Sequence, residues 1–320
     1  MTNPGARCQH GAVTARTIGG REAARRSLAG LALGDAFGER WFPLRSPQAE
    51  TAHRLAARAA PLEQERWPWT DDTAMALALL SVLLRHGEVR QDALAAAFAA
   101  HYQADPHRGY GAGMHRLLPR FADAPAEWRT RAAELFDGQG SLGNGAAMRV
   151  APLGAWWAGA PERAAAQARL SAEVTHRHPE GVAGAVAVAV AASLAADVTP
   201  PTGRALLRRV ADHTPPGAVR DGVLRAADLD GDLAPGRAAE VLGNGSRLRA
   251  DDTVPLALWS AAHHLDSLVD ALWTTAGALG DVDTTCAITG GVVAAAVGEA
   301  GVPASWLARR EPLPDWARPS

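Results

Sequence analysis

The chain is poor in cysteine and carries almost no net charge. Only two of its 320 residues are cysteine, Cys8 and Cys286, which excludes a disulfide framework and a zinc site built from thiolates. Its 32 basic and 34 acidic residues give a formal charge of −2. This balance lacks the dense basic surface of a strong nucleic-acid binder. A reducing compartment suits the composition best.

The sequence also lacks a long apolar run and a secretory leader. Residues 1–20 contain no apolar core segment of the kind that a signal peptide carries. The longest apolar stretch, residues 181–195, is about 15 residues long, short of the roughly 20 needed to cross a bilayer. We therefore expect a cytoplasmic protein with no membrane partner.

Hydrophobic residues make up 48% of the chain, alanine is abundant, and apolar positions recur at spacings of three and four. This periodicity predicts helices, and the small side chains favour close helix packing. We expect an all-α, single-domain bundle covering residues 20–310, with loose tails at 1–19 and 311–320. The clearest helical stretches are residues 74–84, 91–102, 182–196, 255–264 and 288–297.

Two acidic clusters stand immediately before apolar helices. The first is Thr70, Asp71 and Asp72, and the second runs from Asp281 through Asp283 to Thr284. Either cluster could simply cap its helix, because Asp and Thr are ordinary N-cap residues. A cap needs one side-chain oxygen, however, and each cluster offers two carboxylates and a hydroxyl. Adjacent carboxylates repel each other unless a positive charge neutralises them.

This donor set consists of hard oxygen ligands, which suit Mg²⁺, Mn²⁺ or Ca²⁺ and not zinc. Two such clusters could converge on a pair of ions about 3.5–4 Å apart. A third cluster, Asp251-Asp252-Thr253, also precedes an apolar helix. Composition alone leaves open which two of the three clusters hold metal.

Two glycine-rich loops and one histidine are candidates for binding a ligand. Glycine allows a backbone to approach a ligand closely, and backbone N–H groups in such loops can hold phosphates. A tight turn and a polar surface histidine are the ordinary alternatives. The candidate residues are Gly109, Gly111, Gly113, Ser141, Gly143, Asn144 and His176.

Taken in order, these motifs resemble those of the ADP-ribosylglycohydrolase family, which includes dinitrogenase-reductase-activating glycohydrolase and the ADP-ribosyl-acceptor hydrolases. The resemblance spans residues 30 to 290, nearly the whole chain. The matching stretches are 30–38 (GLALGDAFG), 69–73 (WTDDT), 109–113 (GYGAG), 141–149 (SLGNGAAMR) with 152–154 (PLG), 175–176 (TH) and 280–285 (GDVDTT).

The resemblance implies an orthogonal bundle of many helices and two Mg²⁺ or Mn²⁺ ions. It implies that the two glycine loops and His176 hold the phosphates and riboses of ADP-ribose, free or attached to a protein, a nucleic acid or a small molecule. It also makes the cluster at 251–253 a helix cap. The implied metal ligands are Thr70, Asp71, Asp72, Asp281, Asp283 and Thr284.

The implied reaction is hydrolysis at C1″ of ADP-ribose, with a water activated by Asp72 or Asp283. Many relatives carry a Glu seven positions after the Asp of the Gly-Asp motif, and here that position is Phe42. The nearest acid, Glu39, is a candidate replacement. It could equally be a surface residue.

Three functions therefore compete. The first is an ADP-ribosyl hydrolase, which the intact acidic clusters favour. The second is a protein that binds ADP-ribose or another nucleotide with weak or no hydrolysis, for which Phe42 leaves room. The third is a metal-dependent hydrolase of another nucleotide or phosphoester.

Overall fold

The computed structural model describes residues 19–42, 48–59 and 66–320. Cys8 and most of the expected N-terminal tail lie outside the described residues. Within the described ranges every regular element is a helix, and the only β pairing consists of two isolated bridges, so the expected all-α fold is confirmed.

The described residues form sixteen α-helices and four short 3₁₀ helices. The α-helices are α1 (Gly20–Gly38), α2 (Gln48–Ala56), α3 (Asp71–His86), α4 (Gln91–Ala104), α5 (Ala112–Asp123), α6 (Trp128–Ala133), α7 (Ala151–Trp156), α8 (Pro161–Glu173), α9 (Pro179–Ala195), α10 (Gly203–His213), α11 (Ala218–Asp228), α12 (Pro235–Leu242), α13 (Ala250–His263), α14 (Leu268–Ala276), α15 (Val282–Val297) and α16 (Ala304–Arg309). The 3₁₀ helices are Glu39–Trp41, Pro125–Glu127, Asn144–Ala146 and Asp315–Ala317.

The centre of the fold is the antiparallel pair α1 and α15, whose backbones touch along a stripe of glycines. Gly30, Gly34 and Gly38 are four residues apart and therefore share one face of α1. A Cβ atom at Gly34 would lie 2.0 Å from the carbonyl oxygen of Cys286. A Cβ at Gly38 would lie 2.6 Å from Cα of Asp283. This close approach places the end of α1 beside the start of α15.

Replacing Gly34 with alanine should force α1 away from α15. The added methyl group meets backbone, which cannot rotate aside, so we expect the free energy of unfolding to fall by about 1–3 kcal/mol or more. Chemical denaturation monitored by circular dichroism measures the change. Gly236→Ala is the matched control, because nothing lies within 4 Å of a Cβ at that helical position. Equal stability of the Gly34 and Gly236 variants would show that the two helices are not in backbone contact.

Residues 311–318 pack against the domain, although we expected a loose tail there. Leu313 and Ala317 are buried in an apolar cluster with Leu28 of α1. The Glu311 carboxylate accepts two hydrogen bonds from Arg108, at 2.7 and 2.8 Å. The two apolar residues are too few to show a periodic pattern in the sequence. The division into one domain with tails otherwise stays a prediction.

Candidate active site

The two acidic clusters form the first turns of α3 and α15, and these turns meet at one cleft. Asp71 and Asp72 open α3, while Asp281 is the N-cap residue of α15. The cleft has a volume of about 690 Å³, and Asp71, Asp281, Asp283 and Thr284 line it. The fold thus brings together two clusters that are far apart in the sequence.

Thr70 and Asp72 are not among the residues that line the cleft. Asp72 is buried, and its Oδ2 atom is 3.1 Å from the hydroxyl of Thr70. The other carboxylate oxygen of Asp72, Oδ1, is also buried and has no hydrogen-bond partner. A buried carboxylate oxygen without a partner is costly, so this atom calls for a positively charged neighbour.

Asp35 on α1 is a site residue that the sequence analysis missed. Its carboxylate is fully buried and accepts hydrogen bonds from the backbone N–H and the hydroxyl of Thr70, at 2.9–3.0 Å. It also accepts from the N–H and the hydroxyl of Thr73, at 3.1 and 2.5 Å. Asp35 therefore fixes the first turn of α3 to α1. The sequence signal that could have identified Asp35 is its position as the one acidic residue in the otherwise apolar stretch from Leu28 to Phe37.

Burial and mutual repulsion raise the pKa values of the cleft carboxylates, which favours their protonated forms when no cation is bound. Burial, with the charges of Asp35, Asp281 and Glu39, raises the pKa of Asp71 to about 8. Burial and neighbouring carboxylates likewise raise the pKa values of Asp72 and Asp283 well above their ordinary value. These carboxylates cannot all be ionised near neutral pH without a compensating positive charge.

The residues fit a divalent cation in three respects. The donors are carboxylate and hydroxyl oxygens, the negative charge is in excess, and Asp72 Oδ1 is buried without a partner. Across the described ranges, no group of three or more Asp, Glu, His or Cys side chains is close enough together to hold a metal ion as it stands. Four of the six expected donors, Asp71, Asp281, Asp283 and Thr284, line the cleft, whereas Thr70 and Asp72 do not.

The first glycine loop lies over Asp71. Gly109 has φ +90°, a conformation that residues with a side chain rarely adopt, and a Cβ there would be in ordinary contact with Asp71 Oδ1 at 3.7 Å. Gly111 is the N-cap residue of α5, which begins at Ala112. Gly113 therefore belongs to a helix and not to the loop as we expected. The N-terminus of α5 faces the cleft, where its N–H groups favour an anion.

The second loop positions a carboxylate as well as lining the cleft. Ser141 is buried, and its hydroxyl accepts from the N–H of Gly143 at 3.2 Å, which closes a tight turn. The amide nitrogen of Asn144 donates to Asp281 Oδ2 at 2.7 Å and to the hydroxyl of Thr253 at 3.0 Å. Asn144 therefore holds Asp281 in place from inside the loop.

His176 lies between α8 and α9, lines the same cleft and packs against the second loop. Its ring is buried, and a Cβ at Gly145 would lie 3.0 Å from His176 Nε2. Only a glycine at this position lets the loop pack on the ring. His178 has a different task, since its ring accepts from the N–H of Glu180 and caps α9.

The interpretation of residues 251–253 as a helix cap was wrong. The N-cap residue of α13 is Arg249, and no side-chain hydrogen bond caps the helix. Asp252 instead accepts from the guanidinium of Arg247 at 2.8 and 3.0 Å, and Asp251 accepts from Arg249 at 2.9 and 3.1 Å. Both arginines line the cleft. These arginines satisfy the charge of the cluster. The cluster in turn holds the two arginines in place on the wall of the cleft.

Two exposed apolar side chains on the cleft wall also escaped the sequence analysis. Phe136 is 52% exposed and Leu248 is 61% exposed, and both have a positive φ of 55°. Their loops carry no periodic pattern, so the sequence gives no signal for them. An exposed aromatic ring beside a cleft can stack on a base.

Glu39 lies close to the acidic cluster but does not line the cleft. It begins the 3₁₀ turn that follows α1, and about a third of its side chain is exposed (35%). Its charge helps to raise the pKa of Asp71, and the residue before it, Gly38, packs against Asp283 at the start of α15. Phe42, at the end of the same turn, is half-buried.

Comparisons with known proteins agree on one family. A model of the family described as ADP-ribosylglycohydrolase matches residues 17–318. The chain is 30% identical to a Bos taurus protein named ADP-ribosylhydrolase ARH3, with 92% of each chain covered. The human protein of that name is also 30% identical, with 74% of this chain and 73% of that protein covered.

A more distant relative and a solved structure extend the comparison. A protein of Serratia proteamaculans (strain 568) named ADP-ribosylarginine hydrolase Tri1 is 23% identical, with 89% of this chain and 74% of that protein covered. A solved structure described as an ADP-ribosylglycohydrolase-related protein complex superposes with a TM-score of 0.56 at 25% identity. The superposition covers 91% of this protein and 93% of the chain in that solved structure.

Proposed function

The chain belongs to the ADP-ribosylglycohydrolase family, and on that premise we propose that it hydrolyses the bond between C1″ of ADP-ribose and an acceptor, with two Mg²⁺ or Mn²⁺ ions. The observation that carries the proposal is the single cleft shared by Asp71, Asp281, Asp283, the two loops and His176. Its volume of about 690 Å³ lies within the usual range of small-molecule sites.

We assign the metal-binding role to the two clusters. The proposed ligands are Thr70, Asp71, Asp72, Asp281, Asp283 and Thr284. Bound ions would supply Lewis-acid polarisation of ribose hydroxyls and of a water. Asp35 and Asn144 would keep the clusters in place, through their hydrogen bonds to Thr70 and Asp281.

Asp283 is the better candidate for the carboxylate that takes the proton from the attacking water. It lines the cleft, whereas Asp72 is buried and does not line it. The scissile carbon gains oxocarbenium character as the acceptor leaves, and nearby carboxylates stabilise that positive charge. The N-terminus of α5 and the backbone of residues 141–145 would face the phosphates of ADP-ribose.

A release assay tests the proposal. Arginine-, serine- and O-acetyl-linked ADP-ribose are each supplied with Mg²⁺, with Mn²⁺ or with EDTA. We expect free ADP-ribose from at least one of them, and only with metal. Activity confined to simple phosphoesters would contradict the proposal.

The second candidate function is ADP-ribose binding with weak or no hydrolysis. Phe42, which stands where many relatives carry a Glu, is the observation that favours it. Tight ADP-ribose binding without release from any of the three linkages would support it. A Phe42→Glu variant that gains hydrolysis would then identify the missing group.

Replacing Glu39 with glutamine tests whether this residue substitutes for the family Glu. If it does, loss of its charge beside Asp71 should lower the rate of release about 100-fold, the usual size of an acid–base contribution. Glu240→Gln is the control, since Glu240 pairs with Arg237 on the exposed face of α12. Equal rates for both variants and the wild type would remove Glu39 from the mechanism.

None of the helices in the described residues combines the length and the apolarity needed to span a bilayer. A cytoplasmic location stays part of the proposal.

A further inference from the structure

Arg149 is a fully buried arginine that forms no ion pair with any of the described residues. Its guanidinium lies 4.4 Å from the centre of the Phe98 ring. A buried cation without a carboxylate needs hydrogen-bond acceptors for its N–H groups, because its desolvation is expensive. Where those N–H groups point therefore indicates what the residue does.

Arg149 donates to three oxygens, one of which is the hydroxyl of Thr175, the residue before His176. Nη1 donates to the carbonyl of Gly145 at 3.1 Å, and Nη2 donates to the carbonyl of Ser171 at 2.9 Å. Nη2 also donates to the hydroxyl of Thr175 at 2.9 Å. One guanidinium thus connects Ser171 near the end of α8, Thr175, and the Gly145 loop that packs on the ring of His176.

The hydroxyl of Thr175 continues this chain of hydrogen bonds to His176. Its oxygen is 2.7 Å from His176 Nδ1. A guanidinium has only donors, so the Thr175 oxygen must accept from Arg149. The hydroxyl hydrogen is then free to donate to Nδ1, which must be the unprotonated ring nitrogen.

The opposite arrangement would leave a buried donor without an acceptor. If Nδ1 carried the hydrogen and donated to Thr175, the hydroxyl hydrogen of Thr175 would need another acceptor, and none lies within hydrogen-bond distance in the described part of the chain. An unpaired buried donor keeps the full penalty of its desolvation. The tautomer with hydrogen on Nε2 is therefore the stable one.

Nε2 is the ring nitrogen that the chain of bonds leaves available. It lies beside Gly143 and Gly145, in a ring that lines the cleft, and no acceptor of the described residues bonds to it. Burial and the charge of Arg149 lower the pKa of His176 to about 3, so the ring is neutral near pH 7. A neutral ring with hydrogen on Nε2 is a donor at every physiological pH.

We propose that Arg149 is a positioning residue which, through Thr175, keeps the hydrogen of His176 on Nε2 so that the ring donates to a phosphate oxygen of ADP-ribose. The ligand in this statement rests on the proposed function, whereas the hydrogen-bond chain does not. Arg149 itself touches neither the ligand nor the reacting atoms.

Long-range ¹H–¹⁵N spectra of histidine-labelled protein measure the tautomer directly. We expect one of the eleven histidines to show an unprotonated Nδ1 and a protonated Nε2 that do not titrate between about pH 5 and 8. A His176→Gln variant assigns the signal. A protonated Nδ1 in the wild type would overturn the proposal.

Thr175→Val removes the hydroxyl with little change in volume, and Thr175→Ser restores it. We expect the valine variant to show a mixture of tautomers and about tenfold weaker ADP-ribose binding by calorimetry, and the serine variant to recover both. Thr289→Val is the matched control, since Thr289 is buried with its hydroxyl bonded to the Ala257 carbonyl, away from the cleft. An unchanged tautomer and unchanged affinity in Thr175→Val would refute the role of this chain of hydrogen bonds.

The two levels of the proposal fail separately. A wild-type protein with the expected tautomer and no affinity for ADP-ribose would support the hydrogen-bond chain and contradict the proposed function. Arg149→Lys adds a second test through Arg149 itself. A lysine has no planar fork to reach three acceptors, so the Nε2 tautomer should lose its exclusive population even where the fold survives.

Discussion

Replacing Asp283 with asparagine should lower the metal-dependent release of ADP-ribose by about 100- to 10,000-fold, the range typical for loss of a positioned acid–base group. Asparagine keeps the size of the side chain but removes its negative charge and its ability to accept a proton. Asp283 lines the cleft at the first turn of α15, beside Asp281 and Thr284. The variant should therefore lose both a metal donor and the proposed base.

The fold should survive this substitution, because the charge that it removes is unfavourable in the metal-free protein. Burial and the charges of Asp281, Asp35 and Asp71 raise the pKa of Asp283 well above its ordinary value. Circular dichroism and melting in EDTA check the fold, where we expect unchanged or increased stability. Asp228→Asn is the control, since Asp228 pairs with Arg208 on the exposed surface. Wild-type release from the Asp283 variant would contradict the proposed mechanism.

Metal-free protein should lose stability as the pH rises, and Mg²⁺ or Mn²⁺ should restore it. In the unfolded chain Asp71 ionises near its ordinary pKa of 3.8, but in the folded protein it ionises at about 8. The folded state therefore binds more protons between these values. The contribution of Asp71 to the free energy of unfolding is fully present below pH 3.8 and is lost as the pH rises through about 8.

Bound cations remove this penalty because they neutralise the carboxylates. An ion present at 100 times its dissociation constant adds about 2.7 kcal/mol. We expect the metal-induced rise in melting temperature to be several degrees and larger at pH 8 than at pH 5. Asp71→Asn should flatten the difference between these two pH values. A metal effect that is absent, or equal at both pH values in wild type, would contradict the assignment of the clusters.

The sequence was sufficient to predict the helices because their pattern is strongly periodic. The stretches 74–84 and 288–297 fall inside α3 and α15. It placed the helix starts too late, since the acidic residues belong to the first turn and do not merely precede it. Asp71 and Asp72 could be predicted as a cluster because they are adjacent in the sequence. Their position relative to Asp281 depended on the resemblance to a family.

The contacts between distant residues could not be predicted in this way. Asp35 was read as part of a motif, and its four hydrogen bonds to Thr70 and Thr73 appear only when α1 packs beside α3. The pairing of Asp252 with Arg247 likewise depends on the fold of a loop that has no periodic pattern. Such contacts are set by tertiary packing and not by local sequence.

Leu279 is a residue whose backbone conformation the sequence did not predict. In the structure Leu279 has φ +58°, and Gly280, which follows it, has φ +82°. A leucine in the left-handed region costs roughly 1–2 kcal/mol. This strain lies in the backbone immediately before Asp281.

Anomalous scattering from crystals grown with Mn²⁺ tests the central claim most directly. The account predicts two peaks about 3.5–4 Å apart, between the first turns of α3 and α15. Oxygen atoms of Asp71, Asp72, Asp281 and Asp283 should lie within coordinating distance. Peaks elsewhere, or none in this cleft, would contradict the assignment of the two acidic clusters as one metal site.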